Sequence, residues 1–128
     1  MRAIFRFAAP YAKDALNLPV RSVDAALPYY EKAFGFRVVA RQDLPHRKVI
    51  LERDDVRIGI AENGGDPSQE GCFFEVENLE AAFEEIKGKP PAAVTFEEND
   101  FRGHTYRVFF EVAPDGLCYM VAERQRPS

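Results

Sequence analysis

Apolar residues recur along this chain with two different periods, and the alternation between them is repeated. In the stretch "NLPVRSVDAALPYYEKAFGF" (17–36), Val23, Ala26, Leu27, Tyr30 and Phe34 fall at the spacing of one helix face. Ser22 stands where a helix cap belongs and Gly35 where a helix stops. Pro28, past the first turn, removes one backbone donor from that helix. The stretch "CFFEVENLEAAFEEIKGK" (72–89) has the same layout, with Leu79, Ala82, Phe83 and Ile86 on the apolar face, Asn78 as cap and Gly88 as stop. Val20 leads into the first helix and Val76 into the second.

Between and after the helices the period drops to two. "DDVRIGIAE" (54–62) lies over "DGLCYMVAE" (115–123): each opens on a turn, and Val56, Ile58 and Ile60 match Leu117, Tyr119 and Val121 on one strand face. The runs "KVILE" and "RVFFEV" precede those turns. "FRVVARQ" comes before the first, and "PAAVTFEE" fills the corresponding place in the second half. Each half therefore predicts strand, helix, then three strands joined by hairpins, a structural repeat. The expected fold is α+β: a single domain over 1–128 with two βαβββ modules, about 14–62 and 70–124. Its eight mixed strands make two curved four-stranded sheets, each backed by a helix, and the faces without helices form a trough. "ENGGDPSQEG" (62–71) is the joint between the modules, and "RQRPS" is a frayed tail.

Composition narrows the function classes. At 128 residues, 46% hydrophobic with eleven Phe, the chain builds one packed core. A formal charge of −4 with no basic patch argues against nucleic acid. No apolar run is long enough for a membrane helix. Arg6 and Pro10 interrupt the apolar start, which argues against a signal peptide. Two cysteines without CxxC or Cys/His spacing point to a reducing cytoplasm.

The doubled unit, with "VRSVDAALPYYEKAFGF" early and "APDG" late, resembles the vicinal oxygen chelate superfamily of glyoxalase I, extradiol dioxygenases and bleomycin resistance proteins. The resemblance covers roughly residues 14 to 123. Val20, Ala26, Tyr30, Gly35 and Phe36 fit the family's helix motif; Ser22 replaces its Asp, Tyr29 its Phe, and Ala113 the first Asp of the late motif. Metal-bearing members hold a divalent ion with four side chains, one from each of four strands. Carried onto this chain, those positions fall on Ala15, Gly59, Gly71 and Met120. The internal repeat agrees, because Ala15 and Gly71 stand as far apart as Val20 and Val76, and Gly59 and Met120 as far apart as the matched strands. Ala and Gly bring no donor, and a thioether is a poor ligand for a hard cation. His46 and His104 fit none of the four positions, so no metal and no cofactor is expected.

Alternation from these positions names the expected trough lining: Asn17 beside Ala15, Arg57 beside Gly59, Phe73 and Glu75 beside Gly71, and Cys118 beside Met120. On "TYRVFFEV" the set Thr105, Arg107, Phe109 and Glu111 is assigned to the trough. The other set, Tyr106, Val108, Phe110 and Val112, is assigned to the opposite face. The ligand-binding candidates are thus Asn17, Arg57, Phe73, Glu75, Arg107, Phe109, Glu111, Cys118 and Met120, a mixture of apolar and polar groups suited to a small molecule. Against this stands the reading that the arginines and glutamates only pair across strands on a solvated face. No catalytic residue is assigned. Cys72 is expected to face the helices, so no disulfide with Cys118 forms.

The resemblance to the bleomycin resistance branch implies a metal-free homodimer that sequesters an aromatic or cationic compound in troughs at the subunit interface. It offers the partner subunit as a place for Phe5 and Phe7. The alternatives are a glyoxalase-like lyase or isomerase, or a dioxygenase, with a non-standard site, and a non-catalytic domain whose trough meets a protein segment.

Overall fold

The computed structural model describes residues 2–10, 14–91, 95–101 and 103–125. Among them the elements run β1 (Ile4–Pro10), β2 (Leu18–Pro19), α1 (Val23–Lys32), β3 (Arg37–Gln42), β4 (Lys48–Arg53), β5 (Val56–Ala61), β6 (Gly71–Glu77), α2 (Leu79–Lys87), β7 (Glu97–Phe101), β8 (His104–Val112) and β9 (Cys118–Arg124). A short 3-10 turn, Pro67–Gln69, lies in the joint between the modules. The two modules read from sequence are present. Part of "PAAVTFEE" (92–94) and the end of the tail (126–128) lie outside the described residues, and the strand of that region begins at Glu97.

Both helix entries form as the cap residues dictate. Ser22 Oγ accepts from Ala25 N–H at 3.2 Å, and Asn78 Oδ1 accepts from Ala81 N–H at 3.1 Å. Gly88 ends α2 at φ +73°, where a side chain would be strained. The first helix closes at Ala33, and Gly35 reverses the chain just beyond it at φ +70°. Pro28 is tolerated because it sits on the exposed side of α1, where solvent serves the carbonyl that lacks an N–H partner.

The strands form a four-stranded sheet, β2-β5-β4-β3, and a five-stranded sheet, β1-β6-β9-β8-β7. Eight strands belong to the two modules; the ninth, β1, is additional and pairs antiparallel with β6. The N-terminal segment thus lies on the chain's own sheet: Phe5 is fully buried against Phe34, Phe36 and Phe74, and its burial is worth about 2 kcal/mol. Phe7 lies on the opposite side of the same strand.

The helices lie between the sheets. From α1, Val23 and Leu27 share a core with Val49, Leu51, Ile58 and Ile60 of the four-stranded sheet. Tyr30 and Phe34, from the same helical segment, reach the five-stranded sheet: Phe34 meets Tyr119 at 5.2 Å and Phe74 at 5.7 Å between ring centroids. Phe83 of α2 packs edge-on against Phe109 of β8 at 5.3 Å.

Arg53 of β4 ties these layers together. Its guanidinium donates to the carbonyls of Phe34 and Ala3 at 2.6 and 2.8 Å, and to both carboxylate oxygens of Glu85 on α2 at 3.0 and 3.1 Å. It also lies 4.3 Å from the Phe5 ring centroid. One core therefore takes the helix-facing side of each sheet, and the other side of each sheet points away from it.

Candidate functional site

The outward face of the five-stranded sheet follows from register. Gly71 pairs with Cys118, Phe73 with Met120 and Glu75 with Ala122. On the far side of β9, Met120 pairs with Phe110, Ala122 with Val108 and Cys118 with Val112. Because cross-strand partners share a face, Gly71, Phe73, Glu75, Cys118 and Met120 lie together as expected. The residues β8 adds to them are Tyr106, Val108, Phe110 and Val112.

This corrects the assignment of Arg107, Phe109 and Glu111, which point to the helices. Phe109 packs on Phe83 in the core. Arg107 bridges Glu80 of α2 at 3.2 Å and Glu123 at 2.5 Å, and its bond holds the Glu80 carboxyl below its usual range. Glu111 accepts from the Tyr29 phenol at 2.5 Å and pairs with Lys87. Burial first, then that bond, keeps the Tyr29 proton on far above the usual phenol range. Long polar side chains at the helix ends satisfy one another there, so polarity alone gave the wrong face. Phe7, Phe101, Tyr106, Phe110 and Val112 are residues of this outward face that the sequence reading did not place there. Choosing the apolar rather than the polar alternation on β8 would have found those it contributes.

The outward face is apolar and partly open. Phe110 is 43% exposed and Val112 62%, while Phe73, Val108 and Ala122 are buried in a second, smaller cluster with Tyr106 and Ala9. Tyr106 donates to Glu75 Oε1 at 2.9 Å. Cys118 is half-buried on this face; Cys72 faces the core, where burial pushes its thiol up to about 12.

On the four-stranded sheet, Gly59 pairs with Ile50 and Arg57 with Glu52, which places Arg57 and Gly59 on the outward face. Arg57 and Arg37 both hold Glu52, at 2.7 and 3.0 Å, and their bonds keep its carboxyl low. Asn17 lies just before β2. Its carbonyl accepts from Asn63, and its Oδ1 is buried with no hydrogen-bond partner.

The chain crosses this face at Gly59. Gly59 N–H donates to the Ala15 carbonyl at 2.8 Å. A Cβ on Gly59 would stand 2.2 Å from the Leu16 carbonyl oxygen. Backbone thus fills the space a side chain would need at the second metal-ligand position. Ala15 and Gly71 offer no donor, Met120 offers only a thioether, and the described residues contain no metal-sized cluster of His, Cys, Asp or Glu. The residues present do not fit the divalent metal of the metal-bearing relatives.

A second concavity, about 250 Å³, opens beside the start of α1 between Arg21, Ser22, Tyr29, Pro114 and Asp115. Asp115 accepts from Tyr30 and from the Leu117 N–H, each at 2.9 Å; burial nevertheless holds its carboxyl above the usual range. No helix among the described residues is long and apolar enough to cross a membrane.

Comparison with known proteins agrees with this architecture. The family model described as the Glyoxalase/Bleomycin resistance protein/Dioxygenase superfamily matches residues 13–116. An integron cassette protein from the mobile metagenome of V. cholerae superposes with a TM-score of 0.65 at 19% identity, covering 86% of this chain and 92% of that one. A bleomycin resistance determinant encoded on the transposon Tn5 gives 0.61 at 21% identity over 89% and 98%. The fosfomycin resistance protein FosX of Listeria monocytogenes, solved with Mn(II) and sulfate, gives 0.56 at 15% identity over 90% and 91%. At these identities the structural likeness shows the fold alone. No curated protein sequence matches.

Proposed function

Since this chain belongs to the glyoxalase/bleomycin resistance protein/dioxygenase superfamily, we propose that it is a metal-free binding protein of the cytoplasm that sequesters a small aromatic or cationic molecule. The observation that carries this reading is the crossing at Gly59, where the Leu16 carbonyl occupies the space of a ligating side chain. A trough that gives up its metal position to backbone, yet keeps an apolar wall of Phe73, Met120 and Phe110, is suited to holding a molecule rather than activating one.

A homodimer belongs to the proposal. The two outward faces point away from a shared core, so a trough walled by both sheets needs a second copy. In it, the apolar wall of one protomer meets Arg57, Glu52 and Asn17 of its partner. A charge-bearing, half-apolar cleft of this kind suits a flat molecule with a polar or cationic rim.

Native mass spectrometry of the purified protein with added bleomycin A2, repeated with Met120→Lys, tests the reading. The expected result is a dimer at bare polypeptide mass that takes up bleomycin, with binding at least tenfold weaker in the variant, whose added cation sits on the apolar wall. A stoichiometric divalent metal in the dimer, or bleomycin binding indifferent to M120K, overturns it.

A further inference from the structure

The cavity of about 250 Å³ beside the start of α1 carries two opposite charges that do not meet. Arg21 and Asp115 both line it, yet neither forms an ion pair among the described residues. The Arg21 guanidinium also donates no hydrogen bond among them. Two carboxylates share a neighbouring concavity with Arg21, and both are engaged elsewhere. Glu62 accepts from the Val23 N–H at 2.9 Å, and Asp66 accepts from the Ser68 N–H at 3.0 Å and its hydroxyl at 2.8 Å. Ser68 does most to hold the Asp66 carboxyl below its usual range, and Arg21 adds a smaller share.

Asp115 is half-buried and fixed, with the Tyr30 hydroxyl on one oxygen and the Leu117 N–H on the other. A carboxylate has about four acceptor positions, so two remain open. Because Tyr30 is fully buried, the carboxylate is oriented before any guest arrives, which lowers the ordering cost of binding. Burial outweighs both bonds and raises the carboxyl value, an effect that a neighbouring cation would reverse. The rest of the wall is largely apolar: Ala25, Ala26, Pro114 and the Tyr29 ring. The Ser22 hydroxyl and the Tyr29 phenol already serve Ala25 and Glu111. The volume lies below the roughly 300–1,000 Å³ of pockets for drug-sized ligands, so the guest is a small metabolite. A purely cationic guest would leave Arg21 unmatched, and a purely anionic one would leave Asp115 so. A guest with both charges and an apolar body matches the whole wall.

We propose that this cavity is a second ligand site, for a zwitterion with a short apolar side chain: an aliphatic α-amino acid. Its carboxylate pairs with Arg21, its ammonium with Asp115, and its side chain lies against Ala25, Pro114 and Tyr29. No lining residue belongs to either outward sheet face, so the site is independent of the trough reading.

Titration calorimetry at neutral pH tests this on the wild type, Arg21→Gln, Asp115→Asn and Ala25→Phe. L-Valine, L-leucine and L-isoleucine serve as probes, each beside its decarboxylated amine and its deaminated carboxylate. The tightest-binding amino acid is expected to exceed both of its single-charge analogues about tenfold, the scale of one charge-assisted hydrogen bond. R21Q is expected to erase its advantage over the amine, and D115N its advantage over the carboxylate. A25F sends a ring into the cavity from an exposed helix position and is expected to lose binding. R21Q and A25F both change exposed positions, so they report on the site even where D115N fails to fold by circular dichroism.

Absence of binding by all three amino acids in the wild type overturns the proposal. An analogue with one charge that binds as tightly as its amino acid overturns the zwitterion. Amino-acid affinity unchanged in R21Q or in A25F overturns the cavity as its seat.

Discussion

Glu85→Ala is the most informative single change to the scaffold, because Glu85 is the only carboxylate that grips the Arg53 guanidinium with both oxygens among the described residues. The Arg53 side chain is 1% exposed, so the variant leaves a cation inside the core with two of its four hydrogen bonds among the described residues gone. Ala3 N–H also loses its acceptor, Glu85 Oε2, at 3.0 Å. Breaking a buried pair from one side costs about 3–5 kcal/mol. The surviving bonds to the Phe34 and Ala3 carbonyls, and the Asp54 carboxylate 3.5 Å from Nε, place the expected loss near the lower end. For a domain of this size that is a fall of roughly 10–15 °C in Tm.

Urea unfolding followed by far-UV circular dichroism measures it, with the slope m checked for constancy. The double variant Arg53→Met with Glu85→Leu removes both charges and is expected to recover most of the loss, since an apolar pair of similar volume packs without desolvated charge. Loss below about 1 kcal/mol in E85A would refute the reasoning, as would a double variant no better than the single.

Three further outcomes follow from the site. Gly59→Ala places a methyl 2.2 Å from the Leu16 carbonyl oxygen; backbone cannot rotate away, so the expected cost is about 1–3 kcal/mol in urea unfolding, and Gly59→His is expected to bind no Mn(II) by calorimetry. Asp115 gives a pH signature: burial raises its native carboxyl value, so the folded state holds more protons than the unfolded state from about pH 3.9 upward. This contribution to stability is present below that value and is lost as pH rises towards the raised native value. D115N is therefore expected to gain stability relative to wild type between pH 4 and pH 7, with Glu80 and Glu52 acting alike in both proteins; a pH-independent difference would contradict the sign.

Much of the fold was legible because its signals are local. Ser22, Asn78 and Gly88 mark helix ends through bonds made within one turn, and the period-two runs name strands wherever they pair. The chemistry missing from Ala15, Gly59, Gly71 and Met120 was equally plain, since in any fold Ala and Gly bring no side-chain donor and Met only a thioether. The repeat supplied the order of helix and strands within each module, but not β1, which lies outside it, nor the start of β7, which begins at Glu97 near the end of the run read for it.

What the sequence by itself determined is therefore the inventory: two modules, their helices, their strands, and four positions that hold no ordinary metal ligand. Tertiary structure alone decided which face of β8 looks outward, because alternation defines two faces and carries no label for either. Arg107 and Glu111 turned inward since α1, α2 and β9 present Tyr29, Lys87, Glu80 and Glu123 to receive them. The same holds for β1 on β6, the Leu16 carbonyl over Gly59, and Phe101 over Phe73. Each is a meeting of segments distant in the chain or across a coiled sheet, and only the packed molecule sets that distance.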